Sequence, residues 1–432
     1  MSLIRPFRGL RPAPGRAAEV LAPPYDVLSS QEARLRAKGR PYSFLHVSKA
    51  EIDLDPAVDP HDDAVYAKAA ENFRRMRAEG VLTRDDKPAY YIYRLTAHGR
   101  SQTGLAAVAS VAAYERGRIR KHELTTTAKE DDRVRQIEAV NAQTGPVLLA
   151  YPSAPALDDM LARAAAVSPD VDVVADDGVR HQLWIVDEPS AIDAFTHTAD
   201  TLPALYICDG HHRSAAAARV AQARNETTSP ELSSFEGSLR RPPQEERTDA
   251  TLEQSHDYFL AVLFPHHQLT ILDYNRVVRD LNGRTPEALL AALRDAFAVE
   301  PFDRPVRPAA ANEFGLYLAA RWHRLTLRPE FVPQNDPIGR LPITLLAHHI
   351  LEPWFAIKDQ RNDKRIDFIG GGRGLEELTR RVDSGEAAAA FSLYPTQMTD
   401  LMAVADRGGI MPPKSTWFEP KLADGLLSHV LD

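Results

Sequence analysis

At 432 residues the chain is too long for one ordinary hydrophobic core, and it predicts two or three domains. Its balance of 44 % hydrophobic and 26 % charged residues is that of a soluble globular protein, and no apolar run reaches the length of a membrane span. A formal charge of −8 argues against nucleic acid as a partner, and the one cysteine, Cys208, excludes an internal disulfide and a multi-cysteine metal site, so the cytoplasm is the expected compartment.

The basic start, MSLIRPFRGLRPAPGR, leads into no apolar signal core, so no leader is expected. LAPPYDVLSS holds paired prolines and then Ser29, a good N-cap for QEARLRAKG. DAVYAKAAENFRRMRAEGVL predicts an amphipathic helix ending at Gly80. AYYIYRLTA and SQTGLAAVASVAAY predict two strands across a short turn. A polar loop, a helix near Glu130 to Ala142 and a strand after Gly145-Pro146 follow. Next come a helix over DDMLARAAAV, strands over DVDVV and HQLWIVD, a short helix, and LYICDGHHRSAAAARV. Alternating strands and helices make residues 1–221 an α/β or α+β region.

Residues 222–257 are polar, charged and proline-containing, and predict a mobile insertion. Residues 258–432 predict a second α/β region. It opens on the buried strand YFLAVLFP and includes helices over TPEALLAALRDAF, ITLLAHHILEPWF, GLEELTRRVDSG and QMTDLMAVADRGG. EFGLYLAARWHRLTLRP predicts two strands, AAAAFSLYP a third, and the closing MPPKSTWFEPKL segment is expected to return to the site. IGGGRGLEEL lacks dinucleotide spacing and predicts a turn.

The chemistry concentrates where ALYIC, a strand, meets SAAAARVAQAR, a helix. Backbone N–H groups at a helix start carry partial positive charge. Gly210 allows close approach, His212 and Arg213 suit a phosphate, and His211 can move a proton. A passive anion cradle does not need Asp209. It fits a base, a magnesium ligand or an orienter of one histidine. In RKHELTTTAKEDDRVRQ, Glu123 is a candidate base or metal ligand, Arg133 a phosphate contact and His122 a substrate contact; a solvated charge run is the alternative. Asn141 and Thr144 would bind a polar ligand or form a helix C-cap and turn. Lys414, Ser415 and Thr416, with Lys421 behind them, combine lysine and hydroxyls as phosphate sites do, without the glycine-rich half of a P-loop; a tail docking on the body is the alternative. Cys208 reads as a buried strand residue.

The blocks APPYDVLS, YSFLHV, IRKHELTTTAKEDDR, NAQTGPV, ICDGHHRSAAAAR, YFLAVLFP and MPPKSTWFEPKLADGL resemble, in order, the signature blocks of a widespread prokaryotic family of unknown function. Tyr25 and Asp26 of the first block thereby join the substrate-binding candidates. DGHHR before a small-residue helix is similar to the phosphate-binding box of the ParB/sulfiredoxin superfamily. That resemblance implies a ParB/sulfiredoxin-like N-terminal region with a nucleotide phosphate near Gly210, His211, His212 and Arg213. Sulfiredoxins place a cysteine where this chain has His211, and partition proteins add a basic DNA reader that has no counterpart here. The free-serine kinase branch, with an acid and a glycine ahead of the histidine and arginine, is the nearest. The expectation is therefore a phosphotransferase acting on a small metabolite such as serine or phosphoserine, with a nucleotide or phosphorylated ligand, Mg2+ at Asp209 and Glu123, and no covalent cofactor. The alternatives are a phosphatase-type hydrolase and a non-enzymatic nucleotide-binding regulator. The oligomeric state stays open.

Overall fold

The computed structural model describes residues 2–228 and 254–432. The chain folds as a mixed α/β protein of two compact units. The first comprises Met1–Arg120, Thr125–Gln268 and Pro420–Asp432, and the second Lys121–Leu124 and Leu269–Glu419.

The first unit is built on a mixed nine-stranded sheet. Along its main path run Ile119–Arg120, Leu205–Asp209, Val147–Tyr151, Tyr258–Pro265, Arg100–Ser110, Tyr90–Ala97, Arg180–Val186 and Val171–Val174, with Ile4–Arg5 beside Arg100–Ser110. Tyr258–Pro265 is buried along its whole length, parallel to Val147–Tyr151 and antiparallel to Arg100–Ser110. Its unbroken apolar run needs cover on both faces, which only a central strand has. This strand therefore belongs to the first unit, and the segments 1–221 and 258–432 are not the compact units.

A second, four-stranded sheet orders Leu82–Arg84, Gly9–Pro12, Ser428–Val430 and Ala142–Gln143. It carries the last residues of the chain onto the first unit, where Val430 joins a core with Leu10, Phe44, Phe73 and Val140. An isolated bridge pairs Ala22 with Asp424.

Other departures from expectation have local causes. The strand expected through Tyr114 stops at Ser110, whose Oγ accepts from the Ala113 N–H at 3.2 Å and caps the helix Val111–Glu115. The expected insertion is helical as far as Thr228 and again at Ser255–Asp257; its middle, 229–253, lies outside the described residues.

The second unit holds a six-stranded antiparallel sheet ordered Phe297–Phe302, Arg321–Leu327, Glu313–Leu318, Ala389–Leu393, Tyr274–Val278 and Ile366–Gly370. The helix expected over ITLLAHHILEPWF contains a π turn at Ala347–Leu351. Pro353 has no N–H to donate and its ring presses on the preceding turn, which the wider turn accommodates. IGGGRG forms a short 3-10 turn, Gly371–Arg373.

Because Ser428–Val430 lies in the middle of its sheet and Leu422 to Leu431 are buried, removing residues 420–432 should unsettle the whole first unit. The truncated chain is expected to melt at least about 10 °C lower or without a cooperative transition. An unchanged melting curve would contradict the placement.

Candidate functional site

The strand Leu205–Asp209 carries a bulge between Ile207 and Asp209. A bulge re-aims the side chain beside it, here Asp209, at the point where the strand hands over to helix His211–Thr228. Gly210 makes the turn at φ +98, and a Cβ on it would stand 3.0 Å from Arg213 Nε. Glycine is required there twice over, for its dihedral and for the guanidinium packed on it. The helix buries Ala216, Ala217, Val220 and Ala221. Ala216 and Val220 meet Ile137 of helix Thr127–Val140, small side chains letting the two helices close up.

Arg213 is buried. It donates from Nη2 to Asp209 Oδ2 at 2.7 Å and from Nη1 to the Pro146 carbonyl. Lys421 donates from Nζ to Asp209 Oδ1 at 3.3 Å. Burial pushes the Asp209 carboxyl upward, but the charges of Lys421 and Arg213 outweigh it and hold the group well below the usual carboxylate range. Both oxygens of Asp209 are thus committed to cations. Magnesium wants carboxylate oxygens turned to it, so Mg2+ does not fit at Asp209. The group is also too weak a base to accept a proton at neutral pH. The geometry makes Asp209 the orienter of Arg213 and Lys421.

Tyr25, Asp26 and Arg133 adjoin this triad. The Arg133 guanidinium lies 3.9 Å from the Tyr25 ring centroid and donates from Nε to Asp132 at 2.8 Å; Asp132 also accepts from Tyr66 Oη at 2.7 Å. Burial pushes the Tyr25 hydroxyl up to about 12, with Arg133 opposing. The exposed Asp26 adds negative charge that strengthens the protonation of Arg213 and Lys421 against the cost of their burial. His212 accepts the Thr126 N–H at Nε2, 3.3 Å, and burial with the charge of Lys129 lowers its affinity for a proton. It is a neutral ring holding the start of helix Thr127–Val140, not a cationic phosphate contact. His211 is buried at the first helical position and accepts Ser214 Oγ at its carbonyl, 3.0 Å.

Asp424 is 1 % exposed, and among the described residues neither oxygen finds a hydrogen-bond partner in good geometry. Its cavity is lined by Tyr25, Arg133, Thr144, Gly145 and Arg213 among others. A Cβ on Gly145 would stand 3.4 Å from Asp424 Oδ1 and 3.6 Å from Arg213 Nη1, so this glycine keeps open the space between them. Burial pushes the Asp424 carboxyl up to about 7; Arg213 and Arg133 work against the rise, as does the facing Tyr25 N–H, and Asp26 works with it. A second cavity is lined by Pro23, Pro24, Arg36, His181, Lys421 and Ala423, with others. Residues 421 and 423 line one cavity and 424 the other.

Asn141, at φ +49 after helix Thr127–Val140, donates from Nδ2 to the Leu431 carbonyl and accepts from Arg224, so it is a C-cap tying down the C-terminus rather than a ligand contact. His122 and Glu123 belong to the second unit, where the Met411 N–H donates to the His122 carbonyl at 2.8 Å. Lys414, Ser415 and Thr416 also lie there. Lys414 is exposed, its carbonyl accepts from Arg276, and Ser415 Oγ donates to the Pro412 carbonyl at 2.6 Å. Cys208 is buried, and burial with the Asp209 charge raises its thiol well above the ordinary value, which keeps it inert. The lysine of the triad is Lys421. The sequence signal was Pro420-Lys421 in the quoted block, masked by the more phosphate-like Lys-Ser-Thr ahead of it. Asp424 carried no signal beyond LADG.

Asp424 sets a pH test. Its folded value, about 7, lies above the roughly 3.9 of an unfolded aspartate, so folding favours the protonated acid. That contribution is full below about pH 4 and is lost as pH rises through 7. Asp424→Asn should therefore be more stable than the native chain by about 1–3 kcal/mol at pH 8 and gain little at pH 4. Urea unfolding at both pH values measures it, and equal gains at both would rule the ionisation out.

No curated protein matches the chain. Among solved structures, free serine kinase in complex with AMP aligns at TM-score 0.35 and 12 % identity over 72 % of this chain and 86 % of that one. A conserved hypothetical protein from Pyrococcus furiosus aligns at 0.34 and 12 %, over 74 % and 94 %. SbnI with a C-terminal truncation, from Staphylococcus aureus, aligns at 0.35 and 11 %, over 74 % and 85 %. Likeness at this level bears on neither substrate nor mechanism. No helix among the described residues is long and apolar enough to cross a membrane. The match of a family model over residues 4–344 makes the chain a member of the family described as "Protein of unknown function (DUF1015)".

Proposed function

We propose that the first unit is a phosphotransferase that passes a phosphoryl group from a nucleotide to a hydroxyl of a small metabolite, serine being the first candidate. The observation that carries the reading is two cavities meeting at one charge cluster, one lined by Lys421 and the other by Arg213, both bound to Asp209. A transfer needs places for donor and acceptor on either side of the moving group; hydrolysis needs one. The Lys421 cavity also has Arg36 in its lining, a cation for a polyphosphate donor, while Arg40 there is paired with Asp176. The resemblance of DGHHR to a nucleotide phosphate box supports the same assignment.

Two cations against the single carboxylate of Asp209, beside a helix N-terminus, leave an excess of positive charge where phosphate oxygens would lie. Catalysis of phosphoryl transfer is largely positioning and charge stabilisation, and Asp209 contributes by fixing both cations. Arg213 would grip a phosphate with its remaining guanidinium edge, and Lys421 would neutralise charge from the opposite side. Glu123, Lys414, Ser415 and Thr416 take no part in this assignment.

ATP and ADP should raise the melting temperature of the full chain, and Lys421→Ala should weaken that shift at least about tenfold in concentration. The same variant should slow ADP formation from ATP and L-serine by roughly 10²-fold. If neither ATP nor GTP at millimolar concentration shifts the native melting curve, the reading fails.

A further inference from the structure

Asp424 is a buried carboxylate whose two oxygens, among the described residues, find no hydrogen-bond partner in good geometry. Its backbone is fixed, its N–H donating to the Ala22 carbonyl at 2.9 Å and its carbonyl accepting from the Ala22 N–H at 3.1 Å. The side chain cannot leave the cavity by a local backbone swing. Every nearby cation already has an acid: Arg213 and Lys421 hold Asp209, and Arg133 holds Asp132 while stacking on Tyr25. A buried carboxylate without a partner costs several kcal/mol, on the order of what folding can spare. Such a cost persists where a ligand later removes it.

We propose that Asp424 is the receptor for an ammonium group, and that the cavity beside Gly145 accordingly takes an α-amino acid, its ammonium on Asp424 and its carboxylate toward Arg133 and Arg213. The identity of this cavity as the acceptor side rests on the phosphotransferase reading. A divalent metal is the poorer occupant, because one carboxylate between two guanidinium groups neither neutralises it nor supplies enough oxygen ligands. A bare amine would leave the arginines facing an uncompensated positive charge. A zwitterion adds no net charge and presents one pole to each wall, as the cavity lined by Asp424, Arg133 and Arg213 requires. Gly145 supports the assignment, since any Cβ there would enter the space between Asp424 Oδ1 and Arg213 Nη1. The elevated ionisation of Asp424, faced by Tyr25, Asp26, Arg133 and Arg213, adds a signature: an arriving ammonium makes the group give up its proton.

The test is calorimetric titration of the full chain at pH 7 and pH 8 with L-serine, with 3-hydroxypropionate, which lacks the amine, and with ethanolamine, which lacks the carboxylate. L-serine should bind at least about tenfold more tightly than either analogue, with proton release at pH 7 that shrinks at pH 8. Asp424→Asn and Gly145→Val, each checked for an intact cooperative melt, should lose that preference for L-serine over 3-hydroxypropionate. If either variant does not fold, the native analogue series and its proton release decide alone. Equal binding of L-serine and 3-hydroxypropionate, absence of L-serine binding, or undiminished discrimination in a folded Asp424→Asn overturns the proposal. A native chain that discriminates in this way yet shows no ATP shift keeps the ammonium receptor and loses the kinase reading; the reverse pattern does the opposite.

Discussion

The ion triad Asp209–Arg213–Lys421, with the Pro146 carbonyl, joins three separated pieces of chain. Asp209 ends a strand, Arg213 sits one turn into the following helix, the Pro146 carbonyl belongs to the loop before strand Val147–Tyr151, and Lys421 arrives from the last compact segment of the first unit. Buried charges of this kind tolerate little change, because removing one partner strands the others in a medium that solvates them poorly. Asp209 therefore cannot be exchanged for a neutral residue without leaving two cations uncompensated. The bulge at the strand end and the positive φ of Gly210 are the backbone devices that let one carboxylate meet both.

The same arithmetic separates two acids that look alike in sequence. Asp209 has two cations on it and stays ionised; Asp424, more deeply buried, has none to itself, and burial pushes its carboxyl up to about 7. Paired titratable groups pushed in opposite directions are what sites of acid–base or ligand chemistry use. Here the difference comes from the charges of Lys421 and Arg213 held on Asp209 against the fuller burial of Asp424, although Arg213 lies beside both.

What was legible in the sequence was local. The strand-to-helix turn at Gly210, the apolar run of Tyr258–Pro265 and the amphipathic helix Asp63–Ala78 follow from dihedral preference and periodicity, which adjacent residues determine. Arg213 and Arg133 were singled out by residue type, Tyr25 and Asp26 by the resemblance of their block, and the four lie near one another. Function inside that gathering was less legible. His212 is charged or neutral according to whether Thr126 donates to it, and Asp209 is a metal ligand or an orienter according to where Lys421 ends up. Those facts depend on pairings across 86 and 212 residues of chain, which no local pattern records. The compact units depend on the same kind of long-range pairing, a central strand and a C-terminal segment both belonging to the first.

The C-terminal segment shows how backbone geometry can assign two roles to one short stretch. Asp424 is locked to Ala22 by a two-bond bridge, and Pro23, Pro24 and Tyr25 follow Ala22 directly. In an extended segment neighbouring side chains alternate, so positions an odd number apart point to opposite sides. Lys421 and Ala423 line one cavity with Pro23 and Pro24, while Asp424 lines the other with Tyr25. An insertion of one residue between 421 and 424 would turn the lysine away from Asp209 while leaving the bridge intact. A spacing of three is thus a constraint in its own right: it lets a single strand of chain give a cation to one side of the cluster and an acid to the other.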